Sequence, residues 1–431
     1  MRVPRSGGLV EAYDPDSLGE PIWTTLADVP RIREVLGVNV ESRLLMVVDT
    51  LRNLVAVDLE SRGFRTQAAG IEAATMVADG SLYTVGPLHR VSHFEAGLPS
   101  QYRPPLPVPP IFATGTLGDH YVAIVGTKPR KLLVLAADRV LHSTEVPTGE
   151  AAATEWGDLV AIAAGTEIVV YQTEDPYDSR HVGTSGSAEH LTFSPSGHRL
   201  YVSHDNATVE IFDRYSLDRV GTIDLPGVPR ALRTDGSGRW LLCRPATGDS
   251  VWVVDLATGK SAGTLASDWG PELPTVAGAA TLLASRQGDL VAIDLARAGR
   301  PQRGRVTGGA ADHWVVTAWL PPERERKAAA AAESILVAQD SLLVVDSSRV
   351  LGPAGDQLFL QVSSSQNPDW SKDFAQRLTA DGYPARVLAP TTPDEGYRVV
   401  VGPYGTREAA EETGRKLGRP YFILTNPRIK Q

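Results

Sequence analysis

The chain has one cysteine, Cys243, in 431 residues, which excludes an intramolecular disulfide framework and any multi-thiolate metal site. It leaves the compartment open, because cytosolic proteins tolerate thiols and many envelope proteins have few. Long apolar runs are missing too. No stretch approaches the roughly 18 residues that a membrane helix needs, so no membrane insertion is expected. Arg2 and Arg5 are not followed by an apolar run of signal-peptide length. The expectation is a cytoplasmic chain, or one whose targeting segment was removed or lies upstream. Nor is there a basic excess: a formal charge of −9 speaks against a nucleic-acid binder, whose phosphate contacts need a cationic surface.

Helical periodicity is absent from about residue 22 to about 350. In its place stand short β-branched runs broken by Gly, Pro, Asp and Asn, the pattern of many short strands. The unit is clearest over residues 188–225. Ala-Glu-His-Leu-Thr-Phe193 leads through Ser196-Gly197 to Arg199-Leu-Tyr-Val-Ser203, then Thr208-Val-Glu-Ile-Phe-Asp213, then Arg219-Val-Gly-Thr-Ile223. Four strands with tight turns make an antiparallel meander. Third strands end at Asp58, Asp213, Asp255, Asp294 and Asp346, with weaker equivalents near Glu95, Ala136 and Gln172. Four strands in a period near forty residues describe a propeller blade.

Units 188–225 and 229–265 resemble the blades of YVTN and WD40-like β-propellers, through Phe193-Ser-Pro-Ser-Gly197, Leu200-Tyr-Val202 and Val251–Asp255. The expectation is an all-β propeller of seven or eight four-stranded blades over residues 1–351. Leu9–Asp14 and Ile22–Leu26 are expected to close the ring against strands from 314–346, removing free edges. Residues 321–333, charged and then alanine-rich, read as a solvated excursion, either a short helix or a loop.

The pattern changes after Gly355. Gln357–Ser363 alternates like a strand, and 367–380 is helical, with Trp370, Phe374 and Leu378 on one face. Strands over 385–389 and 397–401 follow, then a helix capped by Thr406 and ended by Gly418, then a strand over 421–425. The order is βαββαβ, a small α+β domain over 352–431. Helices on one side of its sheet would leave Phe359, Gln361, Arg398 and Val400 on an open opposite face. Apolar groups there suit the C–H faces of sugars, and Gln and Arg suit hydroxyl and acetamido groups.

Leu360-Gln-Val-Ser-Ser-Ser365 and Tyr397-Arg-Val-Val-Val-Gly-Pro-Tyr404, followed by a helix with Glu408-Ala-Ala410, resemble the first- and third-strand motifs of SPOR domains. That resemblance implies a ferredoxin-like fold. It also implies binding to peptidoglycan glycan strands stripped of stem peptides, with Gln361, Ser364 and Arg398 as contacts. A departure is Gly396, where some members carry an aromatic; it bears on affinity rather than fold. RNA-recognition domains share the topology, but 397–404 lacks their aromatic, basic and glycine motif. The near balance of ten Lys/Arg and nine Asp/Glu over 356–431 offers RNA little attraction.

No His-Glu-x-x-His, Walker loop or Gly-x-Ser-x-Gly elbow occurs. Asp235-Gly-Ser-Gly-Arg239 reads as a hairpin turn, and His198 and His204 read as structural rather than metal-binding. The expected function is a non-enzymatic envelope or periplasmic protein in wall remodelling or division. Its terminal domain would hold glycan and its propeller would meet a protein partner, with no cofactor or metal. The alternatives are a lactonase- or quinoprotein-like propeller enzyme or ligand binder tethered by the small domain, and a cytoplasmic interaction protein.

Overall fold

The computed structural model describes residues 1–95, 97–322, 324, 357–365, 368–380, 382–389, 397–417 and 421–425. The chain divides into two compact units, Met1–Thr317 and Ala318–Gln431.

The first unit is built of eight four-stranded antiparallel sheets. Seven are continuous in sequence and form blades 1 to 7, over residues 32–68, 73–103, 110–145, 151–183, 188–224, 229–266 and 275–306. The eighth takes its first strand from His313–Trp314 and the next three from Arg2–Val3, Glu11–Ala12 and Trp23–Thr24. The N-terminal strands close the ring as expected, the pairing itself being made by Arg2–Val3 with His313–Trp314, at the start of the expected 314–346 stretch. The candidate third strand at Asp346 lies outside the described residues, as does most of 321–333. The eighth blade's third strand is Glu11–Ala12.

Second and third strands are continuous apolar runs rather than alternating ones, because both faces of each blade are covered by neighbouring blades. All five residues of Tyr121–Val125 and all six of Leu44–Asp49 are buried. Outer strands such as Phe64–Ala68 meet solvent and are polar. The cores lie between blades. Leu44, Met46 and Leu54 of blade 1 pack with Leu82 and Phe94 of blade 2. Equivalent clusters join each next pair in turn, through to Leu283, Leu290 and Ala292 of blade 7 against Trp314 of blade 8. Between blades 8 and 1, Arg62 donates from Nε to the Thr24 carbonyl at 2.6 Å and lies 5.9 Å from the Trp23 ring centroid. The ring is closed, and the first unit is an eight-bladed β-propeller.

The period appears again in the hydrogen bonds. Asn39 Nδ2 donates to the Gly80 carbonyl at 2.9 Å, and Thr234 Oγ1 donates to the Phe193 carbonyl at 3.0 Å, each across 41 residues. Trp240 Nε1 reaches the Ala279 carbonyl across 39 residues. One repeat of sequence separation is one blade of spatial separation.

The terminal domain comprises β1 (Leu358–Ser365), α1 (Pro368–Ala380), β2 (Ala385–Leu388), β3 (Tyr397–Tyr404), α2 (Arg407–Leu417) and β4 (Phe422–Thr425). Thr406 Oγ1 accepts the Ala409 N–H at 3.2 Å and caps α2 as expected. Sheet order is β2-β3-β1-β4, with every pairing antiparallel. Leu360, Val362, Val399 and Val401 pack under Phe374, Leu378 and Ala410. The Trp370 side chain lies outside the described residues.

Candidate functional site

Register sets the helix-free face of the terminal sheet. Across the strands, Arg386, Val400, Gln361 and Phe422 form one row, and Leu388, Arg398 and Ser364 form the next. A register shift between Gln361 and Ser363 inserts one residue into β1. Without it, strict alternation would set Ser363 opposite Arg398; with it, Ser364 takes that position. The Ser364 side chain and Gly396 lie outside the described residues.

Phe359 and Val400 were expected to be open on this face, and the structure corrects that. They are 1% and 0% exposed and form a small second core with Leu388 and the partly buried Leu424. The Arg386 guanidinium lies 5.1 Å from the Phe359 ring centroid, and its Nη2 donates to the Gly402 carbonyl at 3.3 Å. A cation–π contact over an apolar ring shields that ring from water. Both residues are therefore the floor of the face.

Gln361 and Arg398 remain half-buried on the surface of that floor. Arg398 Nε is buried and has no hydrogen-bond partner among the described residues. A buried guanidinium N–H without an acceptor is costly, and a ligand oxygen would satisfy it. Phe422 stands opposite Gln361 and is half-buried, so the site has an aromatic beside its amide. The sequence reading missed Phe422 and Arg386 because both belong to the strands that flank the motif strands. Cross-strand register, invisible to local periodicity, is what brings them in.

In the propeller, several histidines pair with carboxylates. His190 Nδ1 is 2.7 Å from Glu150, His313 Nδ1 2.5 Å from Glu272, and His89 Nδ1 2.8 Å from Glu72. His204 is buried with Glu210, whose other oxygen accepts from Arg219 at 2.6 Å. His198 is buried beside Tyr215. Asp119, on the loop joining the first two strands of blade 3, accepts from Arg103 and from the Tyr83 hydroxyl, and lies 3.1 Å from His93. His93 stacks on Tyr83 at 4.4 Å. Burial lowers the His93 pKa, with Asp119 opposing, and burial raises the Tyr83 pKa. Sequence spacing missed this cluster, since its members come from two blades. Among the described residues no three His, Cys, Asp or Glu side chains converge as a metal site. Cys243 is buried in blade 6, and burial raises its thiol pKa.

An eight-bladed ring followed by a βαββαβ domain with an arginine-bearing, helix-free sheet face defines a propeller protein with a terminal α+β module. Residues 354–422 match the family model of the SPOR domain, so the chain carries a SPOR domain, a type that binds peptidoglycan and occurs in cell-envelope proteins. Comparison with curated proteins gives no match. Among solved structures, the chain is similar to hydrazine synthase of Kuenenia stuttgartiensis, at 14% identity over 45% of this chain and 64% of that one, with a TM-score of 0.33. It is also similar to the β-propeller domain of Cps50 (Swd1) of Myceliophteria thermophila, at 13% identity over 62% of this chain and 94% of that one, with a TM-score of 0.42.

Proposed function

We propose that this chain is a non-enzymatic periplasmic or envelope protein. Its terminal domain binds peptidoglycan glycan strands stripped of stem peptides, and its propeller is a rigid platform for a protein partner in wall remodelling or division. The observation that carries the binding reading is Arg398, on the helix-free face of the terminal sheet, whose buried Nε has no hydrogen-bond partner among the described residues. Gln361 and Ser364 flank it by register, and Phe422 adds an aromatic that suits a sugar ring. Weak contacts repeated along a polymer sum through avidity.

The test is co-sedimentation of the full chain with purified sacculi, before and after amidase removal of stem peptides. Pelleting should rise after amidase treatment. In Arg398→Ala it should fall about tenfold, the size expected for loss of a charge-assisted hydrogen bond. Unchanged pelleting in Arg398→Ala with Gln361→Ala would move the site off this face.

A further inference from the structure

One end of the propeller over blades 1 to 3 combines exposed aliphatic tips with unpaired cations. Leu51 and Leu88 sit in the loops joining the second and third strands of blades 1 and 2, and are 79% and 77% exposed. Ile111, at the start of blade 3 and at the same end, is 59% exposed. These loops are contiguous. The Ile71 N–H donates to the Arg52 carbonyl at 2.8 Å, a side chain at neighbouring Gly70 would collide with Pro87, and the Leu106 N–H donates to the His89 carbonyl at 2.9 Å. Arg52, Leu88 and His89 hold φ of 65°, 59° and 55°, a region disfavoured for side chains that lack an Asn-type local bond. The ring thus maintains costly loop shapes that present leucine outward.

Arg31, Arg52, Arg90 and Lys128 stand exposed around these tips, with no ion-pair partner among the described residues. Several of the carboxylates at this end are occupied, and Asp28 and Glu145 stand exposed there. Asp49 is buried in its own turn, Glu72 holds His89, and Glu34 lies 3.5 Å from Arg33. On a chain of net charge −9 this is a local cationic field.

We infer that this end of the propeller docks on an anionic lipid surface. The apolar groups are single protrusions on separate loops, not the walls of a groove, so their complement is a soft plane. Leucine side chains would enter the acyl boundary while adjacent guanidinium and ammonium groups remain at the headgroup phosphates.

The experiment is sedimentation of the full chain with vesicles of phosphatidylcholine alone or with phosphatidylglycerol, at low salt and at 0.5 M salt. Two double variants test the parts: Leu51→Ser with Leu88→Asn, and Arg52→Asn with Arg90→Gln. Asparagine is chosen where φ is positive, because it tolerates that conformation. Binding is expected to anionic vesicles only, to weaken in high salt, and to drop at least tenfold in each variant while circular dichroism and the unfolding midpoint hold. Absence of wild-type binding to anionic vesicles, equal binding to both lipids, or undiminished binding in the variants would overturn the inference. Capture by poly-glutamate without vesicle binding would also overturn it, in favour of an acidic protein partner.

Discussion

At the scale of single residues, the aspartate that ends so many third strands has a physical reason. Asp213 Oδ1 accepts the backbone N–H groups of Tyr215 at 2.9 Å and Ser216 at 3.2 Å, and Oδ2 meets Arg199 at 2.5 Å. Asp58 accepts the N–H groups of Glu60 and Ser61 in the same way, and Asp255 and Asp294 each accept one. The side chain thereby closes the turn into the fourth strand. Burial pushes the pKa of Asp213 and Asp58 upward, but these donors outweigh it and leave both depressed. A carboxylate with a depressed folded pKa contributes stability that is present above its unfolded value of about 4 and is lost as pH falls through the folded one. Asp213→Asn should therefore lower the unfolding midpoint at pH 7 and flatten its decline as pH falls below about 4, relative to wild type. Parallel acid-melting curves for the two proteins would refute this. Gly402 in β3 is a second such residue. Its φ is 137°, and a Cβ would sit 3.0 Å from the Leu358 carbonyl and 3.1 Å from the Phe359 ring. Gly402→Ala should cost ~1–3 kcal/mol in the terminal domain and reduce sacculus binding through the displaced floor, measured by chemical denaturation and pelleting together.

At the scale of elements, the blade is the unit of sequence and the gap between blades is the unit of stability. Trp240 shows why. It belongs to blade 6, yet its ring packs with Leu282, Val291 and Ile293 of blade 7, and its indole N–H is satisfied there at 2.9 Å. Trp240→Ala should cost ~3–5 kcal/mol by leaving a cavity between two blades, and denaturant melting should remain cooperative because the neighbours share the loss. The same principle governs the terminal sheet. Strand alternation correctly puts Leu360 and Val362 under the helices, but one inserted residue decides which serine faces Arg398.

At the scale of the whole molecule, ring closure is the long-range decision. Blade 8 joins His313–Trp314 to strands that begin at Arg2, and Arg2 also meets Asp312 at 2.7 Å. Deleting residues 1–12 should leave blades 1 and 7 with uncovered faces, lower the propeller midpoint sharply and promote aggregation, read by light scattering during a thermal ramp. The terminal domain has its own two cores, so the same deletion should leave pelleting with amidase-treated sacculi intact. Loss of both together would show that the two units do not fold separately.

The sequence alone determined the repeat of about forty residues, the positions of seven third strands, the Thr406 helix cap of the terminal domain and that domain's SPOR resemblance. Each of these depends on neighbours within a few residues, where periodicity, turn chemistry and motif spacing operate. Only the tertiary structure decided that the blades number eight, that Arg2–Val3 is the strand that meets His313–Trp314 in the last one, and that Phe359 and Val400 are floor rather than surface. It alone gathered Leu51, Leu88 and Ile111 at one end of the ring. Burial and juxtaposition are set by partners one blade, or one whole ring, away in the chain, and no local pattern in this sequence encodes that distance.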